Sequence, residues 1–296
     1  MIEINSSDGK IIWTYGKNDF LMNWFSERLQ EDLSGAMKDF DKRPGYVQGQ
    51  NNHHLLDEDE QYTSRIFKIQ AALATTSEQL LHIRQYVNRY PFRKHYLSQG
   101  ISQLEYIQYH MEALYHKVHT IHEIILLLVN EVYRLNLPAI KCRWPQLKKK
   151  LASTEKPLQG AHRYFKAFEN LIGLRHLNSH RGYYEDEEKD KIDIFYGLFF
   201  FKEQAKGLKL DQDLLKMFPP ALTQYKLNEF KKEKVKLIDL VIQENGKHLH
   251  CFLESLFPVY EGQLQQILGH QKPSKLRKLF EQSNNHNNIQ KPLDFS

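Results

Sequence analysis

Cysteine is nearly absent. Cys142 and Cys251 are the only two in 296 residues, and they stand too far apart in sequence to give either a disulfide framework or zinc-ligand spacing. Both are expected to be reduced thiols. Long apolar runs are missing too. The longest aliphatic stretch, Ile124 to Val129, is far shorter than the roughly 20 residues a bilayer span requires. The opening Met1-Ile-Glu-Ile-Asn has neither the basic start nor the apolar core of a secretory signal. These absences predict a soluble, cytoplasmic protein with no membrane partner. There is no P-loop, no GxGxxG, no G-x-S-x-G elbow and no Cys/His zinc constellation, which removes the commonest nucleotide, dehydrogenase, hydrolase and metalloprotease readings. Charge of one sign is not in large excess: 41 basic residues against 36 acidic ones leave +5 and a pI near 8.9, a mild preference for anionic partners.

What the chain does have is helical periodicity. Leu104, Ile107, Met111, Leu114, Val118, Ile121, Ile125, Leu128, Val132 and Leu135 alternate in steps of three and four, predicting one long helix from Ser102 to Leu135 packed along another. Ile66, Ile69, Leu73, Leu80, Ile83 and Val87 predict a helix from Gln61 to Tyr90, closed by Pro91. Leu227 to Leu256 repeat the pattern in a last long helix over Tyr225 to Phe257. Before these, residues 1–60 read as an extension, with a short strand at Lys10 to Tyr15 and a helix near Phe20 to Phe40 whose Phe20, Trp24, Leu29 and Leu33 share a face. Residues 42–60, rich in turn formers and acidic at their end, read as a solvated loop. Lys191 to Phe201 is apolar enough for a strand or a buried helix, within an insertion of about 182–222. The expected architecture is mainly α. It comprises an extension (1–60), a bundle of long antiparallel helices (61–270) carrying that insertion, and a polar tail (271–296).

The stretch that organises the rest is residues 161–184, AHRYFKAFENLIGLRHLNSHRGYY. Phe165, Phe168, Ile172 and Arg175 form one helical stripe, and a permanent cation ending an apolar stripe requires an anionic partner, from the protein or from a ligand. His180 follows five residues later, about 500° around a helix, so one straight helix does not converge the pair. Asn178, Ser179 and Gly182 predict a helix end there, from which His180 bends back or meets a second copy of the motif.

Arg175 to His180 resembles the R-x4-H signature of the HEPN superfamily, helical domains named for nucleotide binding in higher eukaryotes and prokaryotes. The polar His176 after the arginine and the long helix preceding the motif strengthen the likeness, over roughly residues 62–268. The resemblance implies a larger bacterial member with an N-terminal extension. It implies a bundle that dimerises with its two motifs in one cleft, and metal-independent endoribonuclease activity in a toxin–antitoxin or phage-defence setting, under a regulatory protein partner. Toxin members extend the motif to R-x4-H-x-Y, whereas position 182 here is Gly, with Tyr183 and Tyr184 following.

No cofactor and no metal are expected, since imidazole and guanidinium suffice for this chemistry. His180 takes the proton of a ribose 2′-hydroxyl or supplies one to the leaving 5′-oxygen, and Arg175 steadies the charge that builds on the phosphate. His176 and Asn178 orient the phosphate or the imidazole. Tyr183 or Tyr184 stacks a base, and Arg181 adds a contact to RNA. Lys148, Lys149 and Lys150, in a basic connection with Trp144, are either a solvated loop or contacts to phosphate. The histidines of the long helix, among them His116 and His119 with Glu123, read as a polar face rather than ligands, and His53-His54 as part of a solvated loop. Two bland alternatives stand beside this reading. In one, Arg175 pairs with Glu169 or Glu112 and His180 merely caps its helix. In the other, the chain is a catalytically silent dimer that binds a nucleotide or a protein.

Overall fold

The computed structural model describes residues 19–181, 189–193 and 219–269. Among these residues every regular element is helical. The helices are α1 (Trp24–Met37), α2 (Glu58–Asn88), α3 (Arg93–Ser98), α4 (Gln103–Val132), α5 (Trp144–Lys150), α6 (Lys156–Ala167), α7 (Glu169–Arg181) and α8 (Pro220–Leu268). Residues 189–193 form a further helical turn, so the start of the apolar stretch at Lys191 is helical and Ile192 is buried; its continuation from position 194 lies outside the described residues. The strand expected at Lys10 to Tyr15 and the C-terminal tail also lie outside them.

Contacts divide the chain into two units, one formed by Met1–Thr75, His122–Lys166 and Gly246–Ser296, the other by Thr76–Ile121 and Ala167–Asn245. In the first unit α1 starts cleanly because Asn23 accepts a hydrogen bond from the Ser26 amide at 2.9 Å through its side-chain oxygen. Its buried stripe is Phe25, Leu29 and Ala36, not the Trp24 and Leu33 that the sequence suggested; both of those stay half-exposed. Trp24 opens the helix, and its backbone amide donates to Glu254 Oε1 at 3.0 Å, which sets the rotation of the stripe. Tyr260 of α8 lies between two aromatic rings, stacked on Tyr62 at 5.6 Å and edge-on to Phe25 at 5.7 Å. At Gly160 of α6 an added Cβ would sit 3.3 Å from the Phe252 backbone, so the absence of a side chain is what lets α6 and α8 approach there.

The turn-rich segment between α1 and α2 is solvent-exposed over most of its length, as expected of a solvated loop, yet it is held in a defined shape. Arg43 grips Glu60 through its two terminal guanidinium nitrogens, at 2.6 and 2.5 Å, and Nη1 also donates to the Leu55 carbonyl at 2.7 Å. Asn52 closes the loop on itself through the Val47 amide and carbonyl, at 3.0 and 2.8 Å.

A buried polar chain crosses the same unit: Tyr260 donates to Asp32 at 2.8 Å, and its oxygen lies 2.8 Å from the Thr63 hydroxyl. Arg28 Nε stands 2.9 Å from both Asp32 and Glu261, close in distance but aligned with neither as a hydrogen bond. Burial outweighs this partner and raises the Asp32 carboxyl to about 6. A carboxyl whose pKa is higher folded than unfolded takes up a proton on folding. Stability from this group is therefore present below about pH 4 and is lost as the pH rises through about 6, by on the order of 3 kcal/mol. Asn at position 32 keeps an acceptor for Tyr260 and removes the titration. Asp32→Asn is thus expected to be relatively more stable than wild type at pH 7.5 than at pH 4.5. Urea midpoints at the two pH values check it, and an equal difference at both would assign the pH dependence elsewhere.

In the second unit the long seam of α4 is buried as its spacing requires. Leu104, Ile107, Met111, Leu114, Val118 and Ile121 are all sealed from solvent. Ser102 caps the helix in a reciprocal box, its hydroxyl accepting from the Glu105 amide at 3.1 Å while Glu105 accepts from the Ser102 amide at 2.7 Å. α4 ends at Val132, before the expected Leu135, because Arg134 and Asn136 turn into the left-handed region. The short α3 was not legible in the sequence; it begins just after Phe92, which also has a positive φ. Arg84 of α2 pairs with Asp239 of α8, and Asn245 donates to Ser77 at 3.3 Å.

Candidate functional site around Arg175

The run 161–184 is not one helix. α6 ends at Ala167, Phe168 lies buried in a turn, and α7 restarts at Glu169. α7 carries the backbone of Arg175, His176, Asn178, His180 and Arg181 on consecutive turns. Tyr183 and Tyr184 lie outside the described residues.

Arg175 is half-buried. Its Nε is sealed from solvent and has no hydrogen-bond partner among the described residues. Neither Glu169 nor Glu112, the carboxylates considered as its structural partners, forms an ion pair with it. Among the described residues its guanidinium meets His176, whose Nδ1 accepts from Nη1 at a long 3.4 Å. A buried charged donor left without a partner costs a few kcal/mol or more. A ligand carrying negative oxygens would relieve that cost, and a guanidinium fork suits phosphate.

His176 meets a residue that the sequence did not put in the site. The His119 ring of α4 stands edge-on to it, with centroids 5.6 Å apart. Fifty-seven positions separate the two, and only the folded unit brings them together. Arg175, His176 and His119 thus form one polar cluster at the start of the motif.

The three lysines sit differently from the expected loop. Lys148, Lys149 and Lys150 form the last turn of α5 and are all exposed. Arg143 precedes α5 and Pro145 occupies its first turn, where a missing amide is harmless. Lys148 lies 5.7 Å over the Trp144 ring, Trp144 stacks parallel to His162 at 6.0 Å, and Phe165 meets it edge-on at 5.1 Å. These lysines belong to the first unit and Arg175 to the second.

As for metals, the ligand geometry within α4 differs from the set weighed in the sequence. His116 is exposed, while His119, His122 and Glu123 each offer one ligand atom within 4.8 Å of the others. His122 is already engaged, its Nδ1 3.2 Å from Glu123 and its ring 4.0 Å from that of Phe165. Three ligands on adjacent turns of one helix fall short of a closed structural zinc site. Among the described residues no helix is long and apolar enough to cross a membrane.

Comparison with known proteins agrees with the helical architecture. The sequence model of one family, described as Cthe2314-like HEPN, matches residues 61–212, just over half of the chain. No curated protein and no solved structure matches it.

Proposed function

The chain belongs to the Cthe2314-like HEPN family, and on that premise we propose that it is a metal-independent endoribonuclease whose reaction centres on Arg175 and His180. The observation that carries this reading is the buried, unpartnered Nε of Arg175, on the helix that also bears His180. A structural arginine would already have its carboxylate. This one keeps its fork for an anion brought from outside.

In the reaction the ribose 2′-oxygen attacks the adjacent phosphorus as an imidazole removes its proton. The bond to the 5′-oxygen breaks, and that oxygen leaves with a proton from a second imidazole. The products are a 2′,3′-cyclic phosphate and a 5′-hydroxyl. Arg175 holds two phosphate oxygens as charge accumulates on them, and His176 and Asn178 orient the groups beside it. Two His180 side chains, one from each protomer of a homodimer, supply base and acid. Tyr183, Tyr184 and Arg181 follow the reacting pair in sequence and contact the RNA strand.

The test is a total-RNA digest with wild type beside His180→Ala. Cleavage by wild type alone supports the enzyme. No cleavage by either, on a protein that still binds RNA, would leave a silent binding dimer.

The α5 lysines enter the same proposal as contacts to the RNA backbone. Replacing Lys148, Lys149 and Lys150 together with Ala is expected to weaken RNA binding and to flatten its logarithmic salt dependence by about 2, from about 0.7 per phosphate contact on a single strand. An unchanged slope, measured by fluorescence anisotropy at several salt concentrations, would return them to the solvated surface.

A further inference from the structure

Away from Arg175, a cleft of about 690 Å³ opens between the end of α2, the short α3 and the first turns of α4. Half of its lining residues are aromatic: Tyr86, Tyr96, Tyr106 and Tyr109, together with His110. The rings brace one another. His110 stacks on Tyr86 at 5.0 Å and meets the edge of Tyr106 at 4.5 Å, and Tyr106 leans on Tyr96 at 5.5 Å. Behind them Tyr90 stacks on Tyr96 and donates to the Ile101 carbonyl at 2.6 Å, which fixes the loop before α4. Two of the rings are nevertheless open to solvent, Tyr86 at 47% and Tyr109 at 69%. Aromatic faces clustered in a cleft and left this exposed mark a binding surface.

The charge of the cleft is one-sided. Glu105 and Glu112 line it, and no lysine or arginine does. Glu105 uses one oxygen on the Ser102 amide, and Glu112 accepts only a long contact from Gln108 at 3.4 Å. Neither carboxylate is ion-paired among the described residues. Burial lowers the pKa of His110, so near neutral pH its ring adds an uncharged face. A chain with a formal charge of +5 thus carries one aromatic cleft whose only fixed charges are negative.

We propose that this cleft binds a small organic cation of the alkylated-ammonium class. The π-faces of the tyrosines attract a diffuse positive charge and give its methyl groups apolar contact, while the carboxylates neutralise it. Other ligand classes fit less well. A nucleotide would bring phosphates to a site with two carboxylates and no cation. A metal ion would exchange its oxygen shell for rings. A neutral aromatic ligand would strip water from Glu105 and Glu112 without replacing it. The site is independent of the RNA reading, and binding here is measured without any nucleic acid.

The test is calorimetric titration of the full chain with choline, with its neutral isostere 3,3-dimethylbutan-1-ol, and with AMP. Choline is expected to bind at least about tenfold more tightly than the isostere, the margin a desolvated cation over aromatic faces provides. AMP is expected not to compete. Tyr86→Ala and Glu112→Gln, both at solvent-accessible positions, are each expected to weaken choline binding several-fold while melting like wild type. Equal affinity for the isostere, preference for AMP, no heat at millimolar choline, or unaltered binding by both variants would each overturn the assignment.

Discussion

His180→Ala is expected to lower RNA cleavage by about 10²–10⁴-fold, the range a positioned proton-transfer group contributes. Arg175→Lys is expected to cost about 10²–10³-fold, as does the loss of a group that stabilises charge in the transition state. Lysine keeps the charge but not the planar fork, so it cannot brace two phosphate oxygens at once. The arginine substitution separates the two roles left for that residue. Nε has no hydrogen-bond partner among the described residues, so no described contact depends on it. The variant should therefore melt like wild type and lose kcat rather than raise KM. Full activity in Arg175→Lys would show that a diffuse positive charge is all that position 175 supplies. Residual activity of His180→Ala near wild type would move proton transfer to another group, with His176 and its neighbour His119 the first to examine.

The second large effect is all-or-none. Cleavage is expected to persist in excess EDTA and to leave a 2′,3′-cyclic phosphate. Attack by the neighbouring hydroxyl gives that end, whereas a two-metal nuclease activates water and leaves a 5′-phosphate. With imidazole as both base and acid, the rate should peak near neutral pH and fall on both sides, since the ordinary histidine value is about 6.5. Mapping the product terminus is the sharper measurement, because it does not depend on purity from trace metals. Activity lost in EDTA and restored by magnesium would sink the mechanism and bring His119, His122 and Glu123 of α4 forward as ligands.

The long helices were readable because burial on a helix repeats in steps of three and four. The α4 seam is the clearest case: from Leu104 to Val132 every residue of that stripe is buried. The break at Phe168 was not readable, since neither Pro nor Gly marks it and Phe165, Phe168 and Ile172 keep the helical spacing across it. Phe20 and Leu29 are buried as their spacing requires, but Phe25 takes the buried place expected of Trp24. Trp24 outranks Phe25 in size, but it sits half-exposed at the helix start, where its backbone amide donates to Glu254. Arg175 was singled out as a cation ending an apolar stripe, and its Nε has no hydrogen-bond partner among the described residues. The encounter of His176 with His119 left no trace in the sequence, because it depends on how two helices pack.

The ring stack of Phe25, Tyr62 and Tyr260 bears on how such a chain can diverge. Residues 61–212 are the segment the family model matches, yet Phe25 precedes it and Tyr260 follows it, and Tyr260 links Phe25 to Tyr62 in the first turn of α2. The heritable segment and the folding unit therefore have different borders. A gene fusion that transplanted residues 61–212 alone would leave Tyr62 without the ring it stacks on. A change of size at position 260 would have to be answered at the other two. Substitutions at 25, 62 and 260 should consequently travel together through a lineage, tying the two flanks of the chain to a family core that contains neither.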